Sequence, residues 1–209
     1  MKRPFDLSVY FVLDPACCKG RDVADVALSA VRGRVTMIQL RYKSGNMLEF
    51  LAQAGLLCEL LKPYGIPFLI NDNVDVAFAV GADGVHLGQT DTPPLEARKR
   101  LGPSAIIGQT AFTANHMRAV DPAVVDYVGT GPFFPTLTDK GKPVLGPLAF
   151  KALVALSPVP VVGIGGITPD NMAHVIACGA SGVAMMRSIS EAEDPEAATQ
   201  AFVSRVSTQ

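Results

Sequence analysis

Phe68-Leu69-Ile70-Asn71-Asp72-Asn73-Val74-Asp75-Val76-Ala77-Phe78-Ala79-Val80-Gly81-Ala82-Asp83-Gly84-Val85-His86-Leu87 is one strand–helix–strand unit. Phe68–Ile70 is a short apolar run, Asn71-Asp72-Asn73 a polar break, and Val74–Val80 has helical spacing with an acid at its start. Gly81 stops the helix, and a short turn enters the strand Gly84–Leu87. Cys178-Gly179-Ala180-Ser181-Gly182-Val183 echoes Val80–Val85. Outward from this unit, further β-branched runs lie at Leu7–Leu13, Val35–Leu40, Ala105–Gly108, Tyr127–Gly129, Val159–Ile164 and Gly182–Met186. Helical spacing recurs at Val23–Ala30, Met47–Leu61, Pro94–Arg100, Leu148–Leu156 and Asp170–Cys178. Alternation of this kind implies a parallel sheet with right-handed crossovers. Eight strands, at roughly 25 residues per unit, favour a single-domain (β/α)8 TIM barrel over residues 1–209, with a doubly wound sheet as the alternative.

Composition narrows the class. A net charge of -1 argues against nucleic acid or a membrane surface as partner. No apolar run approaches the roughly 18–20 residues of a membrane span, and the N-terminus lacks the pattern of a signal peptide. Cys17, Cys18, Cys58 and Cys178 form no Cys-x-x-Cys pair, so the expectation is reduced thiols in a cytoplasmic protein.

In a barrel the chemistry sits at the C-terminal ends of the strands. Those ends offer Gln39, Arg41 and Lys43; Asn71 and Asp72; His86, Gln89 and Asp91; Gln109 and Thr110; Thr130 and the loop Gly131–Gly146; Gly163, Gly165 and Gly166; and Arg187 with Ser188. Gln39, Arg41 and Lys43 have period-two spacing and point one way, which suits phosphate oxygens. Asp72 and Asp91, on adjacent strands, form a pair that is costly unless a cation lies between them, and Mg2+ takes such a pair together with substrate phosphate. Singly, Asp72 also reads as a helix N-cap and Asp91 as an Asx-turn. Gly163-Ile164-Gly165-Gly166-Ile167-Thr168-Pro169 follows a strand and opens a helix, as a phosphate loop does. Loop 131–146 has the length and hydroxyl–lysine content of a lid. His86 reads as a hydrogen-bonded structural residue.

Five phrases together carry a resemblance: Gln39-Leu40-Arg41-x-Lys43, Ile70-Asn71-Asp72-Asn73, Asp83-Gly84-Val85-His86-Leu87-Gly88-Gln89, Gly131-Pro132-x-Phe134-Pro135-Thr136-x-Thr138 and Gly163–Thr168. In this order the chain resembles the thiamine-phosphate synthase (thiamine-phosphate pyrophosphorylase) family over nearly its whole length. The resemblance implies a Mg2+-dependent transferase that condenses hydroxymethylpyrimidine diphosphate with a thiazole phosphate, giving thiamine phosphate and diphosphate by a dissociative route. Carried over, Gln39, Arg41, Lys43, Asn71 and Thr110 bind the pyrimidine diphosphate, and Asp72 and Asp91 hold the metal. Thr136, Thr138, Gly166, Met186 and Arg187 serve the thiazole phosphate, and Arg41, Lys43 and Lys140 carry the catalytic charge. The partners expected are these small molecules, with self-association left open.

Three positions depart from the pattern. Asp139 stands where the family usually has Lys, with Lys140 one step later; Arg187 replaces a Ser; and Gln109-Thr110-Ala111-Phe112-Thr113 replaces a Ser-x-His-Thr run. The rival readings are a non-catalytic phosphate-binding paralogue, a thiazole tautomerase, and another phosphate-binding barrel enzyme such as an epimerase or aldolase. Pro132, where tautomerases carry His, together with the retained Asp72 and Asp91, argues against the tautomerase.

Overall fold

The computed structural model describes residues 4–43, 45–138, 141 and 143–206. Eight parallel strands close into a barrel in sequence order: β1 (Val9–Leu13), β2 (Met37–Leu40), β3 (Phe68–Asn71), β4 (Gly84–Leu87), β5 (Ile106–Thr110), β6 (Tyr127–Thr130), β7 (Val161–Ile164) and β8 (Gly182–Met185). Closure is the pairing of β1 with β8, Val9 opposite Val183 and Phe11 opposite Met185. The barrel is therefore the fold, and the doubly wound alternative falls. Four strands, β1, β2, β5 and β7, start one or two residues later than the apolar runs suggest, and the other four start where the runs do. Before β7, Pro158 and Pro160 supply no N–H, so pairing begins at Val161 instead of Val159.

Around the barrel run α1 (Val23–Arg32), α2 (Met47–Leu61), α3 (Val74–Val80), α4 (Pro94–Leu101), α5 (Ala114–Arg118), α6 (Gly146–Val154), α7 (Met172–Ala177), α8 (Arg187–Ser190) and α9 (Pro195–Val206). α5, α8 and α9 are additions to the elements expected from sequence. The N-cap of α3 is Asn73, whose side chain accepts from Val76 N–H at 2.9 Å, so Asp72 is not the cap. α9 packs back on α1, where Arg32 meets Glu196 at 2.7 Å. None of the helices among the described residues is long and apolar enough to cross a membrane.

Strand side chains alternate between two apolar layers. Phe11, Leu13, Ile38, Leu40, Phe68, Ile70, Val85 and Val128 face the helices in one continuous core. Tyr10, Val12, Met37, Leu69, Ile106, Tyr127, Val162 and Ala184 fill the barrel axis. Between β5 and β6 the base is tied by Asp126, which accepts from Arg98 Nη2 at 2.6 Å and from Ile107 N–H at 2.8 Å.

The upper axis is polar. Gln39 Nε2 donates to Tyr10 Oη at 2.5 Å, Tyr10 Oη lies 2.7 Å from Tyr127 Oη, and His86 joins Tyr127 Oη (Nδ1, 2.9 Å) to Thr110 Oγ1 (Nε2, 3.0 Å). Five strands contribute one residue each to this chain. Two glycines make room for it: a Cβ on Gly108 would stand 2.2 Å from Tyr127 Cζ, and one on Gly129 2.9 Å from His86 Cε1. Burial keeps both tyrosines protonated by raising their pKa values. Burial also pushes His86 down to about 4, with the Asp91 charge opposing it, so His86 is neutral at pH 7.

A depressed histidine pKa makes stability fall as acid is added. Between pH 6.5 and about 4 the unfolded chain takes up the proton that buried His86 refuses, costing about 1.4 kcal/mol per pH unit. We expect urea unfolding of the wild type to lose about 3 kcal/mol more than His86→Gln between pH 7 and pH 4. Equal losses in the two proteins would locate the acid sensitivity elsewhere.

Candidate active site

The C-terminal mouth of the barrel opens into a cavity of about 690 Å³. Gln39, Arg41, Lys43, Asn71, Asp72, Asp91, Thr110, Thr136, Thr138, Gly166, Met186 and Arg187 all line it. Of the residues that the resemblance assigns to substrate, metal or catalysis, Lys140 alone is not in this group; it lies, with Asp139, outside the described residues.

The basic side is anchored from below. Arg41 Nη1 pairs with Asp14, which is almost fully buried at the top of β1, and Asp14 also accepts from Ala16 N–H at 3.0 Å. The carboxylate thus fixes the direction of a guanidinium that lines the cavity. Asp14 was not read as functional from sequence; its signal was an acid directly after an apolar strand, ahead of a proline.

Next to it stand the acids. Asn71 closes β3, and Asp72 follows with φ 64°, a left-handed conformation that a non-glycine residue adopts at a cost. This turn is held by Asp72 N–H donating to His86 O at 2.8 Å. The Asp72 carboxylate accepts from Lys43 Nζ. Asp91 reaches back to accept from Gly88 N–H at 2.6 Å, so its carboxylate turns toward the mouth and is no Asx-turn ahead of Pro93. Burial, then the adjacent Asp72, raises the Asp91 pKa, while Gly88 N–H and Lys43 oppose the rise. Two carboxylates this close call for positive charge between them, and their oxygen donors fit a hard divalent cation. Beside them, Gln89 Nε2 donates to Thr110 O.

The opposite side is made of close-packed loops. Gly165 and Gly166 have φ of 100° and 65°; a Cβ on Gly165 would lie 2.5 Å from Pro132 Cβ, and one on Gly166 2.4 Å from Pro135 O. Glycine here lets the loop after β7 lie against the loop after β6, where Phe133 and Phe134 N–H bond Ile164 O and Gly165 O at 2.9 and 3.0 Å. Arg187 ties α8 to the loop after β6, with Nη1 on Glu191 Oε1 at 2.6 Å and Nε on Thr138 Oγ1 at 3.3 Å. Ser188 donates its hydroxyl to Ile167 O at 2.6 Å.

Three strand-end residues expected at the rim are elsewhere. Thr130 is buried and donates to Ala111 O. Gly163 faces the helices, where a Cβ would meet Val175 Cγ1 at 2.3 Å and Phe150 Cζ at 3.1 Å. Gln109 alternates with Thr110 and does not line the cavity. Tyr10, Val12 and Phe112 line it without having been foreseen, and Leu137 lines it from the loop read as a lid. Tyr10 sits in an unbroken apolar run, which reads as core.

The family model described as Thiamine monophosphate synthase matches residues 9–189. A thiamine-phosphate synthase of Laribacter hongkongensis is 44% identical over 202 residues, covering 96% of this chain and 95% of that protein. One from Xanthobacter autotrophicus is 43% identical over 208 residues, covering 99% and 98%. The solved thiamine phosphate pyrophosphorylase of Pyrococcus furiosus superposes with a TM-score of 0.85 at 32% identity, over 96% of each chain. A mouth of paired acids and bases on this barrel, and similarity along almost the entire length, place the chain in the thiamine monophosphate synthase family.

Proposed function

We propose that this chain condenses hydroxymethylpyrimidine diphosphate with a thiazole phosphate to form thiamine phosphate and release diphosphate. The observation that carries the reading is one cavity with two differently built sides. Arg41, Lys43, Asp72 and Asp91 stand on one side, and the Gly165–Gly166 loop with Arg187 on the other. Relatives named for this activity support it.

The bond broken is that between the pyrimidine methylene carbon and the diphosphate oxygen, and its electron pair leaves with diphosphate. The bond formed runs from the thiazole nitrogen lone pair to that carbon. No proton moves in this exchange, which suits a cavity whose lining histidine is locked in the barrel axis by two hydrogen bonds. Arg41, held by Asp14, and Lys43 offset the charge growing on the leaving group. Gln39 and Asn71 orient the pyrimidine diphosphate, and Thr110 offers its hydroxyl to it. Thr136, Thr138, Gly166, Met186 and Arg187 take the thiazole phosphate, and the Thr136–Thr138 segment covers the mouth against water. Asp72 and Asp91 would hold Mg2+, which when bound supplies further positive charge to the diphosphate oxygens. Lys140 is the remaining cation of this reading. The four free thiols accord with a cytoplasmic enzyme.

The deciding experiment is thiamine phosphate formation from the two substrates with and without Mg2+. No product from folded wild-type protein that binds both substrates would overturn the reading in favour of a binding paralogue. Asp72→Gly separates chemistry from folding: it should lower kcat/KM by about 10²–10³-fold, yet leave Tm equal or higher, because glycine adopts the left-handed turn freely. A matching fall in Tm would make Asp72 a structural residue. Asp14→Asn should raise KM for the pyrimidine diphosphate about tenfold, ~1.4 kcal/mol, through a loosened Arg41. An unchanged KM would show that Arg41 needs no such support.

A further inference from the structure

The Gln39–Tyr10–Tyr127–His86–Thr110 chain has two ends, and both open on the cavity. Its three middle members carry no role in the chemistry described above. Each phenol has one proton, and neutral His86 has one N–H shared between two ring nitrogens. Neither buried phenol has a partner outside the chain among the described residues, so each must spend its proton within it, and the protons can then run in only two directions.

In the first direction Gln39 Nε2–H donates to Tyr10, Tyr10 to Tyr127, Tyr127 to His86 Nδ1, and His86 Nε2–H to Thr110 Oγ1. Gln39 then turns its carbonyl oxygen to the cavity, and Thr110 keeps a proton to offer there. In the second, every proton reverses: Gln39 accepts from Tyr10 and presents its NH2 to the cavity, His86 carries its proton on Nδ1, and Thr110 spends its own on His86 Nε2. An anion beside Thr110 requires a donor and therefore selects the first direction. The donation from Gln39 Nε2 to Tyr10 Oη is of that kind.

We propose that Tyr10, Tyr127 and His86 are positioning residues that couple the facing of the Gln39 carboxamide to the facing of the Thr110 hydroxyl across the barrel axis. An acceptor at the ring edge and a donor at the diphosphate are then presented together or not at all. The chain is deliberately housed: Gly108 and Gly129 leave the space that the Tyr127 and His86 rings occupy. The two ring nitrogens of His86 each have one partner, Tyr127 Oη on Nδ1 and Thr110 Oγ1 on Nε2, so a single N–H makes the chain directional. The consequence for substrate choice rests on the synthase reading, whereas the coupling itself can be measured with no substrate present.

The test is 15N NMR of the His86 imidazole in ligand-free protein at pH 8. Wild type should show the Nε2–H tautomer. Gln39→Glu places a carboxylate, which only accepts, at the far end, and should move the His86 proton to Nδ1 although three hydrogen bonds intervene. Adding Tyr127→Phe to Gln39→Glu should abolish that response. A His86 tautomer indifferent to Gln39→Glu, or a shift that survives Tyr127→Phe, would overturn the coupling.

A kinetic cycle covers the case in which the buried glutamate prevents folding. Gln39→Ala and Thr110→Ala should combine about fivefold or more away from multiplicative in kcat/KM while Tyr127 is present. In a Tyr127→Phe background, or Tyr10→Phe should that variant fold better, they should combine within about twofold. The same departure in both backgrounds would assign the coupling to the shared substrate and sink the proposal. Tyr127→Phe alone should lower kcat/KM about tenfold, and no change would remove its positioning role. The NMR result is independent of turnover, so a failed synthase reading and a failed coupling give different outcomes.

Discussion

A closed barrel of short parallel strands must fill its own axis, and here the upper axis is filled by hydrogen bonds instead of hydrocarbon. Gln39, with 3% of its surface exposed, and two fully buried tyrosines sit where polar groups are costly unless every donor and acceptor is matched. The match runs through five strands, so no member can shift alone. Gly108 and Gly129 are the steric counterpart, absent side chains that let an aromatic ring and an imidazole lie across the axis. This layer is both the roof of the core and the floor of the cavity, and the charges of the site stand on it.

Placement of the charges follows from that floor. Gln39, inside β2, lies in the buried layer, and Arg41 and Lys43, just past its end, line the cavity above it. Asp72 after β3 and Asp91 after β4 line the same mouth, and one backbone bond, Asp72 N–H to His86 O, ties the acid turn to β4. The same histidine therefore anchors the acid turn with its backbone and the polar chain with its ring. The left-handed conformation at Asp72 is the local cost of aiming a carboxylate at the mouth. Asp14 plays the reciprocal part, holding a base from a buried position.

The strands were legible because β-branched runs bounded by glycine have few other uses, and the unit from Phe68 to Leu87 contains the whole repeat in miniature. The rim was legible where spacing alone orients a side chain, as for Gln39, Arg41 and Lys43. Tyr10 and Tyr127 were not, since an aromatic inside an apolar run looks the same whether its hydroxyl is matched or its ring is merely packed. Their partners come from 117 residues apart, a pairing that closure of the barrel creates and no local pattern encodes. The helix α9 escaped because its polar, alanine-rich sequence shows little periodicity, and its packing against α1 supplies what propensity lacks. Thr130 and Gly163 were misplaced for the opposite reason: a position at a strand end sets height along the axis, while parity sets which side of the wall a residue faces.

The departures from the family pattern show how one substitution can be absorbed by geometry already present. Where a serine is usual, Arg187 brings a longer arm and a fixed charge, and an unsupported guanidinium at that point would be free to swing. It is not free: Glu191, one helical turn along α8, takes Nη1, and Thr138 across the mouth takes Nε. A residue that would otherwise serve one loop therefore spans two. The hydroxyl that a serine would have offered has a neighbour in Ser188, but that oxygen is committed to Ile167 O in the β7 loop. The guanidinium, in place of a serine hydroxyl, is thus the polar group that position 187 presents to the second side of the cavity, with its orientation tied through Thr138 to the loop after β6.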